Sequence, residues 1–453
     1  MHLPVAAELG RRGAAGALIA CGSAAGWWIG GLSTRRVAAA ALGVALPGTV
    51  ALSWAARRAI TAGTASAPTV PSSFVDPATA DSTCATTGGG LPITVLVPAR
   101  DEVAHIPGLL RDLGRQDLGA KGEPLRLRVV VIDDRSVDGT GAAAEAAIRD
   151  AGLDGRVIRR EGPGGAKGDA LRHVPADATG GSLFIVVLDA DARVAPDFVR
   201  RVAECSPAGA AAFTVRRHIL GVDRSLFARL QDDEQALDAW ILAGRIGLGG
   251  AGELRGNGMV LTPEALAAAG GWPAGVLTED LEFSTALLTA GIPIGWEGAA
   301  AVEETAAGTL AALARQRLRW AEGSARRFLA QLPQALESRS APRAARLDLA
   351  LYAGQLALPP VIVGTAARAI GRGRPGPLAA LVGVYVAVGG LLAWHAIGVL
   401  QHGVNPGPRV VRALAVGVFS MHWLVAVPVG LARIAFGPET VTFRPTRDRL
   451  TPC

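Results

Sequence analysis

In LFIVVLDADAR, residues 183–193, five apolar residues, Phe184 to Leu188, run directly into Asp189-Ala190-Asp191. A short continuous apolar run bounded by polar residues predicts a strand buried on both faces. Side chains alternate along an extended chain, so Asp189 and Asp191 can project to one side. Two carboxylates leaving a buried strand end suit a hard divalent cation with a phosphate opposite. In an open α/β sheet, ligands gather at that carboxyl end. A solvated acidic turn would carry the same letters, so the rest of the chain has to decide between the two.

Upstream, the pattern occurs twice more. LPITVLVPAR (91–100) reads as a buried strand turning at Pro98, followed by Asp101-Glu102 and a helical periodicity at Ile106, Leu109, Leu110 and Leu113. Leu127 to Ile132 is a second strand, running into DDRSVDGT (133–140), where Ser136 or Asp138 can cap the Ala-rich helix that follows. Strand, acidic turn, helix, repeated, predicts an α/β fold with a mainly parallel sheet flanked by helices, of nucleotide-binding type. Neither a G-x-G-x-x-G nor a Walker sequence is present, which disfavours dinucleotides and P-loop chemistry. GPGGAKGDAL (162–171) is a Gly-rich turn; its Lys167 either approaches a diphosphate or is a solvated surface lysine.

Half of the 453 residues are hydrophobic, and they concentrate at the two ends around an ordinary soluble middle. The net charge of +6 is carried mostly by Arg, much of it flanking apolar stretches, which suits anionic lipid headgroups. Nucleic acid is disfavoured as a partner, because no basic stripe is interleaved with aromatics. Cys21, Cys84, Cys205 and Cys453 form no C-x-x-C pair, and the histidines show no H-x-x-H or H-x-x-x-H spacing. Any metal is therefore expected on carboxylates, which points to magnesium or manganese.

Residues 14–32 and 37–56 are each about long enough to cross a bilayer core of roughly 30 Å. They predict an N-terminal transmembrane hairpin (1–60) with both outer flanks in the cytoplasm. Residues 61–91 read as a flexible linker and 92–335 as the cytoplasmic domain. Within 336–376, the apolar stretch 347–370 is broken by Pro359-Pro360, and we expect it to be interfacial or re-entrant. Residues 377–436 predict a second transmembrane hairpin, and 437–453 a basic cytoplasmic tail. The expected total is four spans, or five if 347–370 also crosses.

The motifs VPARDE (97–102), VVVIDDRSVDGT (129–140), VVLDAD (186–191), LTEDLEF (277–283) and QRLRW (316–320) occur in that order, with Gly256-Asn257-Gly258-Met259, Gly270-Gly271-Trp272 and Ala321-Glu322-Gly323. The set, over roughly residues 92–335, resembles the GT-A-fold family 2 glycosyltransferases, the membrane group that includes cellulose, hyaluronan and ceramide-glucoside synthases. Within that group it looks most like the bacterial and cyanobacterial monoglucosyldiacylglycerol synthases.

The resemblance implies a multi-pass plasma-membrane hexosyltransferase using a UDP-sugar and Mg²⁺ or Mn²⁺, with a lipid acceptor such as diacylglycerol. Pro98, Arg100, Glu102, Asp133, Asp134, Lys167, Asp189 and Arg319 would contact the donor, with Asp133 or Asp134 on the uridine. Asp189 and Asp191 would hold the metal. Asp280, beside Glu279, would be the general base of an inverting displacement, and Gln316 and Trp320 would shape the acceptor end. Acids at 279, 280 and 282 also suit a helix start, so both readings apply there. Gln316, Arg319 and Trp320 share one helix face; Arg315, Arg317, Arg326 and Arg327 are expected on the others, against the membrane. Glu303 and Glu304 receive no role. Two alternatives are polysaccharide elongation and a silent nucleotide-sugar-binding partner; the full set of metal, base and acceptor motifs argues against the second. Nothing in the sequence sets an oligomeric state.

Overall fold

The computed structural model describes residues 5–61, 91–119, 124–162, 165–204, 210–401 and 404–437. Most of the expected linker (61–91) and basic tail (437–453) lies outside the described residues. The strands are β1 (Leu91–Ala99), β2 (Leu125–Asp134), β3 (Asp154–Arg160), β4 (Phe184–Val187), β5 (Arg193–Val194), β6 (Ala212–Ile219), β7 (Met259–Leu261) and β8 (Ile294–Glu304). They form one sheet in the order β3-β2-β1-β4-β7-β6-β8-β5.

The first half is parallel: β1 pairs with β2 and β4, and β2 with β3. The short β7 then enters antiparallel between β4 and β6. β6 and β8 are again parallel, while β5 joins β8 antiparallel. The sheet is thus mainly parallel, as expected, and the short antiparallel β7 and β5 make it mixed. At the turn into β7, a Cβ on Gly258 (φ +78°) would strike the Val215 side chain, so only glycine fits.

α1 (Val5–Ile29) and α2 (Thr34–Thr61) precede the sheet. α3 (Ile106–Leu113) and α4 (Thr140–Asp150) cover one face, with Leu109, Leu110 and Ile148 against Val95, Val129 and Val186. α5 (Lys167–Leu171) and α6 (Ala176–Thr179) lie on the other, where Leu171 meets Leu96, Val130 and Ile185. The two core sets alternate along each strand, as a doubly covered sheet requires. α7 (Phe198–Glu204) returns to the first face. α8 (Leu226–Gly247), α9 (Pro263–Ala268), α10 (Glu279–Thr289) and the long α11 (Leu310–Glu337) follow. The chain ends in α12 (Arg343–Ala353), α13 (Leu358–Arg372), α14 (Gly376–Leu400), α15 (Pro406–Phe419) and α16 (Trp423–Phe436).

Among the described residues, four segments are long and apolar enough to cross a membrane: Thr34–Thr61, Arg343–Arg372, Gly376–Leu400 and Pro406–Phe436. α1, which carries the stretch 14–32 read as a first span, is not among them. Glycine, alanine and serine make it weakly apolar and let it pack backbone to backbone on α13. A Cβ on Gly26 would overlap the Val361 carbonyl, and one on Gly364 that of Ser23. The start of α1 is tied to α11 through Glu8 and Arg326, 3.7 Å apart. Arg343–Arg372, expected to be interfacial or re-entrant, qualifies by length and composition, though a 3₁₀ turn at Gly354–Ala357 interrupts it.

Candidate active site

The sheet order reverses between β1 and β4, and the crevice outside the carboxyl ends at such a point is where α/β sheets bind ligands. The two turns leaving β1 and β2 are laced together there. Asp101 N–H donates to Ser136 Oγ (3.0 Å), Val137 N–H to Asp101 Oδ1 (2.9 Å) and Glu102 N–H to Thr140 Oγ1 (2.8 Å). Asp101 and Arg135 take left-handed φ values of 54° and 59°, uncommon for residues with a Cβ. Pro98, in β1 opposite Ile132, and Arg100 are thereby fixed beside the second turn.

Asp133 and Asp134 leave β2 on opposite faces. Asp133 accepts from Ser136 N (3.0 Å) and Arg159 Nη1 (2.9 Å) beneath α4. Asp134 is held by Arg160 and by Arg135 Nε (3.0 Å). A Cβ on Gly165 would lie 3.0 Å from Arg135 Nη2 and 3.1 Å from Arg100 Nη1. Asp134, Arg135 and Arg100 thus border the Gly-rich turn, while Asp133 holds the loop together from behind. The Glu102 carboxylate pairs with His105 (2.9 Å) at the start of α3.

Lys167, at the first position of α5, links the acidic motifs. Its ammonium lies 2.5 Å from Asp189 Oδ1, 2.6 Å from the Gly256 carbonyl and 3.9 Å from Glu279 Oε1. It is not a solvated surface lysine: it is a largely buried counter-ion to Asp189 and Glu279. Burial alone would lower its pKa; Asp189, Glu279 and Asp280 together raise it. Asp169 pins the turn that carries Lys167, accepting from Gly165 N (3.0 Å), Ala166 N (3.1 Å) and Gly275 N (2.9 Å). Burial would raise the Asp169 pKa, but these N–H groups hold it below the usual range.

Glu279 and Asp280 open α10, where acids meet the positive end of the helix dipole. Glu279 is buried, and its pKa rises to about 7: desolvation drives it up, Lys167 opposes, and Asp280 and Asp189 add to it. Gly256, at φ +37°, brings its backbone against Asp280; a Cβ there would be 3.4 Å from Oδ2. Asp189, Glu279 and Asp280, far apart in sequence, therefore share one cleft around Lys167 and Gly256. Asp191 faces the end of β8, where Thr305 N–H donates to its Oδ2 (3.2 Å).

α11 closes the cleft. Gly323 rests on Thr278, where a Cβ would come within 2.7 Å of Oγ1. Trp320 and Arg319 lie three and four residues before Gly323, and Gln316 a turn further. All of these are half-buried. Arg317, Arg326 and Arg327, expected to face the membrane, are buried instead. Arg317 is bonded to Glu234 Oε2 (2.5 Å) and stacks on Trp320 (4.3 Å to the ring centre). Arg326 pairs with Glu322 (3.0 Å) and Arg327 with Glu253 (2.6 Å). Carboxylates from α8, α11 and the loop before β7 neutralise them, a pairing that helix periodicity cannot show. On its other side α11 meets α16: a Cβ on Gly430 would lie 3.1 Å from Glu322 N.

Sequence reasoning left Glu304 without a role and missed the part played by Asn257. Asn257 Oδ1 accepts from Asp189 N–H (3.1 Å), and its Nδ2 donates to Glu304 Oε2 (3.3 Å). Burial pushes the Glu304 carboxyl up; Arg217 opposes, and Asp191 and Asp189 add to it. For a metal, the donor set is carboxylate oxygen from Asp189 and Asp191, both half-exposed, which fits a hard divalent ion. Among the described residues no cluster of three or more metal-ligating side chains occurs. Mg²⁺-type ions are satisfied by one or two carboxylates when waters and phosphate oxygens complete the shell.

A sheet with its ligand edge at a strand-order reversal, an acidic pair at the end of β4 and a carboxylate-bearing helix start facing it define a GT-A-type sugar-transferring fold. Residues 184–435 match the model for glycosyl transferase family group 2, and residues 94–240 that for glycosyl transferase family 2. The chain belongs to glycosyltransferase family 2. It is 32% identical over 360 residues to a beta-monoglucosyldiacylglycerol synthase of Synechocystis sp., spanning 77% of this chain and 73% of that protein. It is also 32% identical to one of Trichormus variabilis, spanning 78% and 75%. Among solved structures, a mannosyltransferase from Pyrobaculum calidifontis in complex with GDP-Man and Mn2+ shares the fold, with a TM-score of 0.52 at 20% identity over 86% of this chain and 99% of that one.

Proposed function

We propose that this protein transfers glucose from UDP-glucose to the free hydroxyl of a membrane lipid, diacylglycerol in the first instance, with inversion at the sugar. The observation that carries this reading is the position of α11. One face of that helix touches the Thr278-Glu279-Asp280 turn and the other touches the apolar helix α16. The acceptor end of the cleft, which Trp320 and Gln316 would shape, would then lie beside a segment apolar enough to span a bilayer. The names of the relatives supply the glucose and the diacylglycerol.

Each residue's part follows from its location. Asp134, Arg135 and Arg100 frame the nucleoside end of the donor. Asp189 and Asp191 would hold a divalent cation, which when bound would neutralise the diphosphate leaving group. Asp280 takes the proton from the acceptor hydroxyl, a transfer worth typically ~10² to 10⁴ in rate. Glu279 and Lys167 set the charge around it, and Arg319 lies on the helix face that meets the donor. Arg11-Arg12 and the Arg-rich end of the chain support a cytoplasmic position for the catalytic domain.

Membranes containing the protein, incubated with labelled UDP-sugars with and without manganese, test this. Label from UDP-glucose should move into chloroform, only with metal, and only when diacylglycerol is present. Label held in an insoluble aqueous polymer would overturn the lipid reading.

A further inference from the structure

The end of β8 supports both aspartates of the Asp189-Ala190-Asp191 turn. Thr305 N–H reaches Asp191, and Glu304 reaches Asp189 through the amide of Asn257. An amide side chain has an acceptor end and a donor end, and the two fit different partners. Asp189 N–H requires the acceptor end. A carboxylate accepts only, so Glu304 fixes the donor end toward itself and thereby sets the amide the right way round. Gln235 Nε2 donates to the other Glu304 oxygen, and Arg217 Nη1 lies 3.7 Å from it. The Glu304 carboxylate is thus held in place from α8 and β6.

We infer that Glu304 and Asn257 form a positioning pair that orients the Asp189 backbone, and with it the carboxylate offered to the donor's diphosphate and its cation. The inference rests on the donor reading above. Neither residue touches the transferred sugar; they act through Asp189. Loss of Glu304 lets the Asn257 amide turn over, which brings its NH₂ against the Asp189 N–H, two donors facing each other. Asp189 then moves, and donor and metal bind less tightly, while the acceptor end, formed on α11, is untouched.

The pair can be reversed chemically. In Asn257→Asp the new carboxylate faces Glu304, two acceptors together. In Glu304→Gln the new amide can present its NH₂ to the NH₂ of Asn257. Combined, the two substitutions restore a donor opposite an acceptor: the amide introduced at position 304 would donate to the carboxylate introduced at position 257, which still accepts from Asp189 N–H. The assay is Mn²⁺-dependent UDP binding by calorimetry on the purified full chain in detergent, with the donor and acceptor KM alongside. Each single variant should weaken UDP binding and raise the donor KM about tenfold, the scale of one hydrogen bond to a charged group, at unchanged acceptor KM. The double variant should return to within about threefold of the parent. A double variant no better than the worse single one, or a Glu304→Gln that binds as the parent does, overturns the inference. If the parent itself fails to bind UDP, it is the donor reading that falls.

Discussion

Gly323→Ala tests whether the seating of α11 sets the reaction geometry. Alanine is the better helix former by about 1 kcal/mol, so by propensity alone the change stabilises α11. The added methyl, however, would overlap Thr278 Cγ2 most severely and lie 2.7 Å from its Oγ1 and 3.1 Å from its Cβ. Ordinary contact begins near ~3.5 Å, so α11 and the Thr278 turn have to part by about 1 Å. Overpacking of this kind costs roughly 1–3 kcal/mol, of which the propensity gain offsets about 1, so the net loss of stability is at most about 2 kcal/mol. A misplacement of about 1 Å between reacting groups costs on the order of 10² in rate. The expected result is a kcat about a hundredfold lower with an unfolding midpoint close to the parent's. The assay is labelled glucose transfer into chloroform, with kcat and both KM values resolved, beside thermal unfolding in the same detergent. Thr278 Oγ1 is buried and makes no hydrogen bond among the described residues, so Thr278→Ala should be mild by itself. Added to Gly323→Ala, it removes the worst overlap and should restore at least about tenfold of the lost rate. A Gly323→Ala enzyme that turns over within about threefold of the parent, or a loss that Thr278→Ala does not relieve, refutes the argument.

Asp280→Asn should lower transfer by about 10² to 10⁴ while UDP binding stays close to the parent's, as measured by calorimetry; equal loss of both would remove Asp280 from the base role. Asp191→Ala should weaken manganese-dependent UDP binding without weakening metal-free binding, and unchanged binding in manganese would argue against the metal site. Glu279 carries a pH prediction. Its carboxyl goes from an ordinary 4.5 in the unfolded chain to about 7 when folded, so folding takes up a proton between those values. The stability it contributes is fully present below pH 4.5 and is lost as pH rises through about 7. Glu279→Gln should flatten the fall in unfolding midpoint between pH 5 and pH 8, and an unaltered slope would show that other groups carry it.

The first half of the sheet was legible because β1, β2 and β4 are nearly unbroken apolar runs, the pattern of strands covered on both faces. β6 and β8 were not. AFTVRRHI carries two adjacent arginines, and IGWEGAAAVEE is diluted by glycine, alanine and glutamate. Those charged residues sit in strands because distant partners meet them: Arg217 has Asp238 and Glu304, and Glu304 has Asn257 and Gln235. The motifs pointed to Asp189, Asp191, Glu279 and Asp280, but not to the burial of Lys167, which depends on carboxylates more than 20 and 100 residues further on. The arginines of α11 failed for the same reason. Hydrophobic periodicity assigned them to the outer faces, and only tertiary pairing shows otherwise. At the N-terminus the stretch 14–32 falls short of the candidate spans among the described residues, and its glycines pack closely on α13.

On the donor reading proposed above, the charges in the cleft would couple cation and nucleotide. Asp189, Asp191 and Asp280 would present carboxylates to the space the diphosphate enters. At about 5 Å and an effective dielectric near 20, each like-charge pair opposes entry by roughly 3 kcal/mol. Lys167, paired with Asp189 and the Gly256 carbonyl, offsets one of these charges and leaves the other two. Two carboxylates are, in turn, too few to hold a divalent ion firmly without phosphate oxygens. Cation and donor would each complete the other's site, so their affinities should rise together, by the same factor in both directions. A cleft built this way would bind diphosphates only weakly in the absence of metal. Glu279, with its pKa raised to about 7, limits the negative charge that Lys167 has to balance.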